Sequence, residues 1–210
     1  MQPFTPDEHA VIASAISRAE KNTSGEIVVV VARASSGYGY FSLMCVALLA
    51  LAVPLPFIHL TSWPVEYIYL VQLLVFAAGV LLMQWQKLRI AITPKSLKHA
   101  RAHQRAVEQF LVQNLHTTKG RTGVLIYVSE AERYAEVIAD DGIYQKVTPE
   151  VWDELIAQLT ANIGQGNRAL GFVAAIDRCG KILAEHFPPS SGDHDELPNH
   201  LIVLDVAEPA

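Results

Sequence analysis

The chain has 210 residues, a formal net charge of −5 and a hydrophobic content of 51%. That length admits one or two domains, and the acidic balance argues against a nucleic-acid partner. Its two cysteines, Cys45 and Cys179, lie in unlike surroundings and suggest neither a disulfide framework nor a metal knuckle.

The opening segment, TPDEHAVIASAISRAEKNTSG, predicts a helix. Thr5 reads as its N-cap, Pro6 as its first residue and Glu8 as the second half of a capping box. Ile12, Ala15, Ile16 and Ala19 form one apolar face. With acids early and no apolar run, the segment predicts no cleavable signal peptide. The run EIVVVVA, residues 26–32, is continuously apolar and β-branched, as expected of a central strand covered on both faces.

Between Arg33 and Lys87 the one formal charge is Glu66, where an average soluble chain would carry about a dozen. Residues 41–58 and 67–85 are both uncharged. As helices they would be roughly 27–29 Å long, close to the thickness of a bilayer core. Tyr38, Tyr40, Trp63, Tyr67, Tyr69 and Trp85 flank the runs, where aromatic rings favour the headgroup layer. Pro54 and Pro56 are expected to disrupt the last turn of the first run. A transmembrane hairpin over 34–86 is the expectation. Buried core helices are the alternative, but the other roughly 160 residues have little room to wrap two helices apolar on all sides.

Lys87, Arg89, Lys95, Lys98, Arg101 and Arg105 follow the second run, with no acid between Glu66 and Glu108, and the short connection has no Lys or Arg. The positive-inside rule then predicts both termini in the cytoplasm. These six residues are also the expected contacts with anionic lipid.

Thr93-Pro94 opens a basic amphipathic helix over about 95–115. GVLIYVS (123–129) and YAEVIAD (134–140) read as two strands of a hairpin, with EAER as the turn. A helix after Thr148-Pro149 stops at Gly164 and Gly166, and another spans about 168–186. From Ile182 onward there are six acids and no Lys or Arg. PPSSGDHDELPN reads as an exposed linker within an acidic tail, 188–210, and HLIVLD as a short edge strand. The soluble α/β part is therefore split, 1–33 and 87–187, by the hairpin.

The order of helix, SGEIVVVVA, long connection, RTGVLIYVSEAERYAEVIADDGI, VWDELIAQL and GNRALGFVAAIDRCGKILAEHFP resembles the TPM domain. The resemblance covers about 1–32 and 95–187. That family includes thylakoid-lumen proteins involved in photosystem II repair, an accessory protein of nematode acetylcholine receptors and many bacterial membrane proteins; this chain is most similar to the last branch. The resemblance implies a sandwich of a small mixed sheet flanked by helices. For some members it implies phosphatase activity or calcium binding. The family's acidic segment maps onto Glu132, Arg133, Asp140, Asp141 and Gly142.

On chemical grounds, Asp140 and Asp141 could offer two carboxylates to Ca²⁺ or Mg²⁺. Adjacent strand residues point to opposite faces, so only an irregular turn would let both converge. Asp-Asp-Gly as a simple turn is the competing reading. Glu132-Arg133 reads as a charge pair in a turn more than as a catalytic dyad. His99 and His103 have the spacing of two zinc ligands on one helix but lack an evident third. GQGNRALG follows a helix, so it reads as helix termination and tight packing rather than a phosphate loop. No nucleophile–base set appears. The expectation is a bacterial inner-membrane protein that presents its domain to an unidentified membrane or cytoplasmic protein, with a divalent-metal phosphatase as the alternative.

Overall fold

The computed structural model describes residues 3–189 and 200–205. It divides into two compact units: one runs up to Ser35 and resumes over Ala100–Asp205, the other is Ser36–His99. The linker and tail residues 190–199 and 206–210 lie outside the described residues.

In the first unit, α1 (Pro6–Glu20) begins with the expected capping box: Glu8 N–H donates to Thr5 Oγ1, and Thr5 N–H to the Glu8 carboxylate. Strand β1 (Glu26–Ala32) follows and is buried along its whole length. After the insertion come β2 (Gly123–Ser129), β3 (Tyr134–Ala139) and the last strand, β4 (Leu201–Leu204). The sheet order is β3-β2-β1-β4, with β1 parallel to β2 and β4, and β3 antiparallel to β2. This is the mixed sheet expected, with β1 inside it.

Alternation along β1 and β2 sends side chains to two cores. Ile27, Val29, Val31 and Val124, Ile126, Val128 pack with α1 and two later helices. Val28, Val30 and Leu125, Tyr127 pack with Ala106 and Phe110 of the helix that ends at Val112. A sheet so covered on both faces explains why both strands lack polar alternation.

The second unit contains α2 (Gly39–Ala52), α3 (Pro54–Leu60), α4 (Val65–Leu82) and α5 (Gln86–Ile92). The prolines interrupt the first run, as expected, but the break falls at Val53, between the end of α2 at Ala52 and the start of α3 at Pro54. Val53 N–H still donates to Leu49 O, and the chain is helical again to Leu60. Pro54 and Pro56 fall where a helix start leaves its N–H groups unpaired, so neither removes a bond that α3 needs. Helices α2 and α4 pack closely: a Cβ on Gly79 would lie 2.6 Å from Val46 Cγ1. The helical stretches Gly39–Leu60 and Val65–Leu82 are long and apolar enough to cross a membrane, with mean hydropathy 2.4 and 2.0. Only 17% and 6% of their apolar windows is buried, so most of each stretch is exposed apolar surface.

Helix α6 (Lys95–Val112) leads back into the first unit, followed by a 3-10 turn at Leu115–Thr117. After β3 come a single helical turn, α7 (Asp141–Tyr144), then α8 (Pro149–Gly164) and α9 (Arg168–His186). In α9, Gly180 lets the helix approach α1; a Cβ there would lie 2.6 Å from Ala19 Cβ.

Candidate functional site

Three polar features occupy the first unit, two at the carboxyl ends of β1 and β2 and one at their amino ends. At the carboxyl ends of β1 and β2 lies a cleft of about 460 Å³. Val31, Val128, Ala135, Ile163 and Phe172 supply an apolar lining. Open sheets with parallel strands commonly bind ligands at this end.

Two arginines border the cleft, in opposite states. Arg168, at the start of α9, is held on several sides. Its Nε donates to Glu8 Oε1 at 3.0 Å and its Nη2 to Glu8 Oε2 at 2.9 Å and Pro3 O at 2.8 Å. Its Cζ lies 4.1 Å from the centre of the Phe4 ring. Arg133 sits in the β2–β3 turn with φ of 51°, and it is exposed. Among the described residues its guanidinium has no hydrogen-bond or ion-pair partner. Glu130, also on the cleft, acts on Arg168 electrostatically.

The bonds from Arg168 hold the Glu8 carboxyl far below its ordinary value, from 4.5 down to about 2. A carboxyl depressed in the folded state adds stability that is complete above the unfolded value and is lost as pH falls through the folded one. Part of the acid destabilisation of the full-length protein should therefore fall between about pH 4.5 and 2. Glu8→Gln should remove that part, as read by thermal melting across the interval. An unchanged pH profile would show that the pair contributes nothing.

Next to the cleft, which Ser129 also lines, four buried residues form a polar chain. Ser35 Oγ donates to Ser129 Oγ at 2.8 Å, and Ser129 Oγ donates to Glu132 Oε2. The one Ser35 proton is thus committed, so Tyr127 OH, 2.9 Å away, is the donor to Ser35 Oγ. Ser35 N–H donates to Glu132 Oε1 at 3.0 Å. Burial pushes the Tyr127 phenol above its ordinary value. Glu132 is 4% exposed. The expected Glu132–Arg133 charge pair is therefore absent: Glu132 turns inward to accept from Ser35 and Ser129, while Arg133 faces water. The left-handed backbone at Arg133 accompanies this divergence.

The acidic pair lies at the other end of the sheet. Asp140 caps α7, its Oδ1 accepting from Asp141 N–H at 2.7 Å. The turn lets both carboxylates converge, and they meet on Arg121: its Nε donates to Asp140 Oδ1 at 3.0 Å and its Nη2 to Asp141 Oδ2 at 3.1 Å. Asp140 Oδ2 is buried with no hydrogen-bond partner. Gly142 lets this turn approach the Gly120-Arg121 backbone, since a Cβ would lie 2.5 Å and 2.6 Å from their carbonyl oxygens. A hard cation would share these oxygens with a guanidinium already present. Among the described residues no group of three or more His, Cys, Asp or Glu is placed to hold a metal ion. His103 Nδ1 lies 3.0 Å from Glu136 Oε2, which in turn accepts from Tyr134 OH.

Sequence reasoning missed the Arg168–Glu8–Phe4 cluster and the cleft. The capping-box glutamate was visible, but nothing local shows that Arg168, 160 residues on, joins it.

The family model described as the TPM domain matches residues 85–182. No curated protein matches the chain. Among solved structures, the chain is similar to the NMR structure of the BA42 protein from the psychrophilic bacterium Bizionia argentinensis, with 26% identity and a TM-score of 0.60 over 96% of each chain. The matched segment runs from before α6 into α9 and contains β2 and β3, which continue into one sheet with β1 and β4. The chain carries a TPM domain.

Proposed function

We propose that the protein is a bacterial inner-membrane protein whose two apolar helical stretches anchor the TPM domain at the cytoplasmic face, where its cleft docks a segment of another protein. The carrying observation is the cleft at the carboxyl ends of β1 and β2, with an apolar lining and the unpaired guanidinium of Arg133. This combination suits an apolar side chain next to an acidic group on the partner. The basic run Lys87, Arg89, Lys95, Lys98, Arg101 and Arg105 favours cytoplasmic termini and contact with anionic lipid.

Photocrosslinking from Tyr134, in native membranes, tests this reading. Arg133→Glu should reduce a specific crosslinked product by at least about tenfold, because it puts like charge against the partner's acid. Its melting temperature should be unchanged, since Arg133 is exposed. An identical crosslinking pattern for the two chains would overturn the docking role.

The second reading, a phosphatase using Ca²⁺ or Mg²⁺ at Asp140 and Asp141, draws on the orphaned buried Oδ2 of Asp140. Phosphate-ester hydrolysis by the purified protein with Ca²⁺, Mg²⁺ or Mn²⁺, compared with Asp141→Asn, decides it. On the docking reading both proteins stay at the background rate. A metal-dependent rate lost in the variant establishes the enzyme.

A further inference from the structure

Helix α4 carries one polar side chain where a spanning helix can least accommodate it. From Leu70 to Leu82 every residue but Gln72 is apolar. Gln72 is the eighth of the 18 residues of α4, so at ~1.5 Å per residue it lies about 2 Å from the middle of the helix. Its side chain is half-buried on a groove of about 310 Å³ beside α2, lined by Ala47, Ala50, Tyr69, Leu73 and Phe76. Among the described residues the Gln72 carboxamide has no hydrogen-bond partner.

We infer that this groove is a self-association surface, on which Gln72 of one copy pairs with Gln72 of a second copy inside the bilayer. The inference rests on the membrane-anchor reading. Lipid chains offer an amide neither donor nor acceptor, so an unpaired one at mid-depth is driven to find a partner. A carboxamide has both a carbonyl acceptor and an NH₂ donor, so two copies related by a twofold axis satisfy each other with two reciprocal bonds. Ala47 and Ala50 leave the groove wall low, which lets a neighbouring helix approach closely. The same groove offers no charge to attract a differently charged helix: the one formal charge between Arg33 and Lys87 is Glu66, in the first turn of α4. A self-complementary amide in an uncharged groove fits a second copy of this chain better than an ionic partner.

Full-length protein carrying a donor or an acceptor fluorophore at its N-terminus, reconstituted into phosphatidylethanolamine–phosphatidylglycerol vesicles, provides the test. Energy transfer is followed as the protein-to-lipid ratio rises. The wild type should show saturable transfer that unlabelled chain competes away. Gln72→Leu should need roughly tenfold more protein per lipid for half-maximal transfer, with unchanged circular dichroism, and Gln72→Asn should stay near the wild type. Equal transfer for the wild type and Gln72→Leu, or wild-type transfer no greater than random collision gives, overturns the inference. A carbonate wash separates the two levels. Release of the wild type into the supernatant overturns the anchor reading and this one together, whereas a retained chain without Gln72-dependent transfer overturns self-association alone.

Discussion

Replacing Glu132 by alanine should cost about 3 kcal/mol of folding stability, read by thermal or denaturant unfolding of the detergent-solubilised full chain. The substitution removes the acceptor for two buried donors at once, Ser35 N–H and the Ser129 hydroxyl. Each orphaned buried donor costs roughly 1–3 kcal/mol. The pocket left by the side chain is polar and closed, since Ser35, Ser129 and Glu132 are 6%, 0% and 4% exposed, so bulk water cannot readily replace the carboxylate. Glu132→Gln keeps one acceptor oxygen and should lose about half as much. Exposed Arg133 is the control: Arg133→Ala, one residue away, should change stability by less than about 0.5 kcal/mol. A Glu132→Ala protein within about 1 kcal/mol of the wild type would show that the polar chain contributes nothing to the fold. Glu132 also fastens Ser35, the last residue of the first unit before the insertion begins, so its loss should loosen the exit of β1.

The elements that sequence reasoning placed well are those whose signal is local. Strands β1 and β2 read directly from unbroken β-branched runs, because burial on both faces removes the polar alternation. The α1 start was equally legible, since a capping box is complete within four residues. The site was harder to read, because strand direction decides which end of the sheet matters. Asp140 and Asp141 do follow a strand end, but β3 runs antiparallel to β2, so they sit at the amino ends of the parallel strands. The carboxyl ends, where the cleft opens, are bordered instead by the β2–β3 turn and by Arg168. Glu132 was misjudged for a related reason. Adjacent opposite charges in a turn suggest a pair, and only the three-dimensional position of Ser35, 97 residues earlier, shows where the carboxylate goes. Pro54 and Pro56 posed the converse problem: a breaker within one helix is harmless at the start of the next.

Gly142→Ala should be the other strongly destabilising single change, at about 3 kcal/mol, because its added methyl has no flexible neighbour to displace. The Cβ would fall 2.5 Å from Gly120 O and 2.6 Å from Arg121 O, both backbone atoms. Those carbonyls belong to a turn that is itself constrained, with left-handed φ of 77° at Gly120 and 57° at Arg121. Relief requires moving α7 or that turn, and either movement strains the bonds from Arg121 to Asp140 and Asp141. Overpacking without room to relax costs roughly 1–3 kcal/mol, and the rigidity here favours the upper end. Gly164→Ala is the matched comparison. It closes α8 with nothing within 4 Å of its added methyl, so it should leave stability unchanged or raise it by up to about 0.5 kcal/mol. Melting curves of both variants, with and without excess Ca²⁺, carry a further consequence for the acidic turn. If the turn serves only to join β3 to α7, calcium shifts neither curve. If it holds a cation, calcium raises the melting temperature of Gly164→Ala and of the wild type, while Gly142→Ala, with its turn displaced, gains much less. Equal stability of the two glycine variants would mean that the turn can open by several tenths of an ångström, and the tight apposition of Gly142 on Gly120-Arg121 would lose its role in the fold.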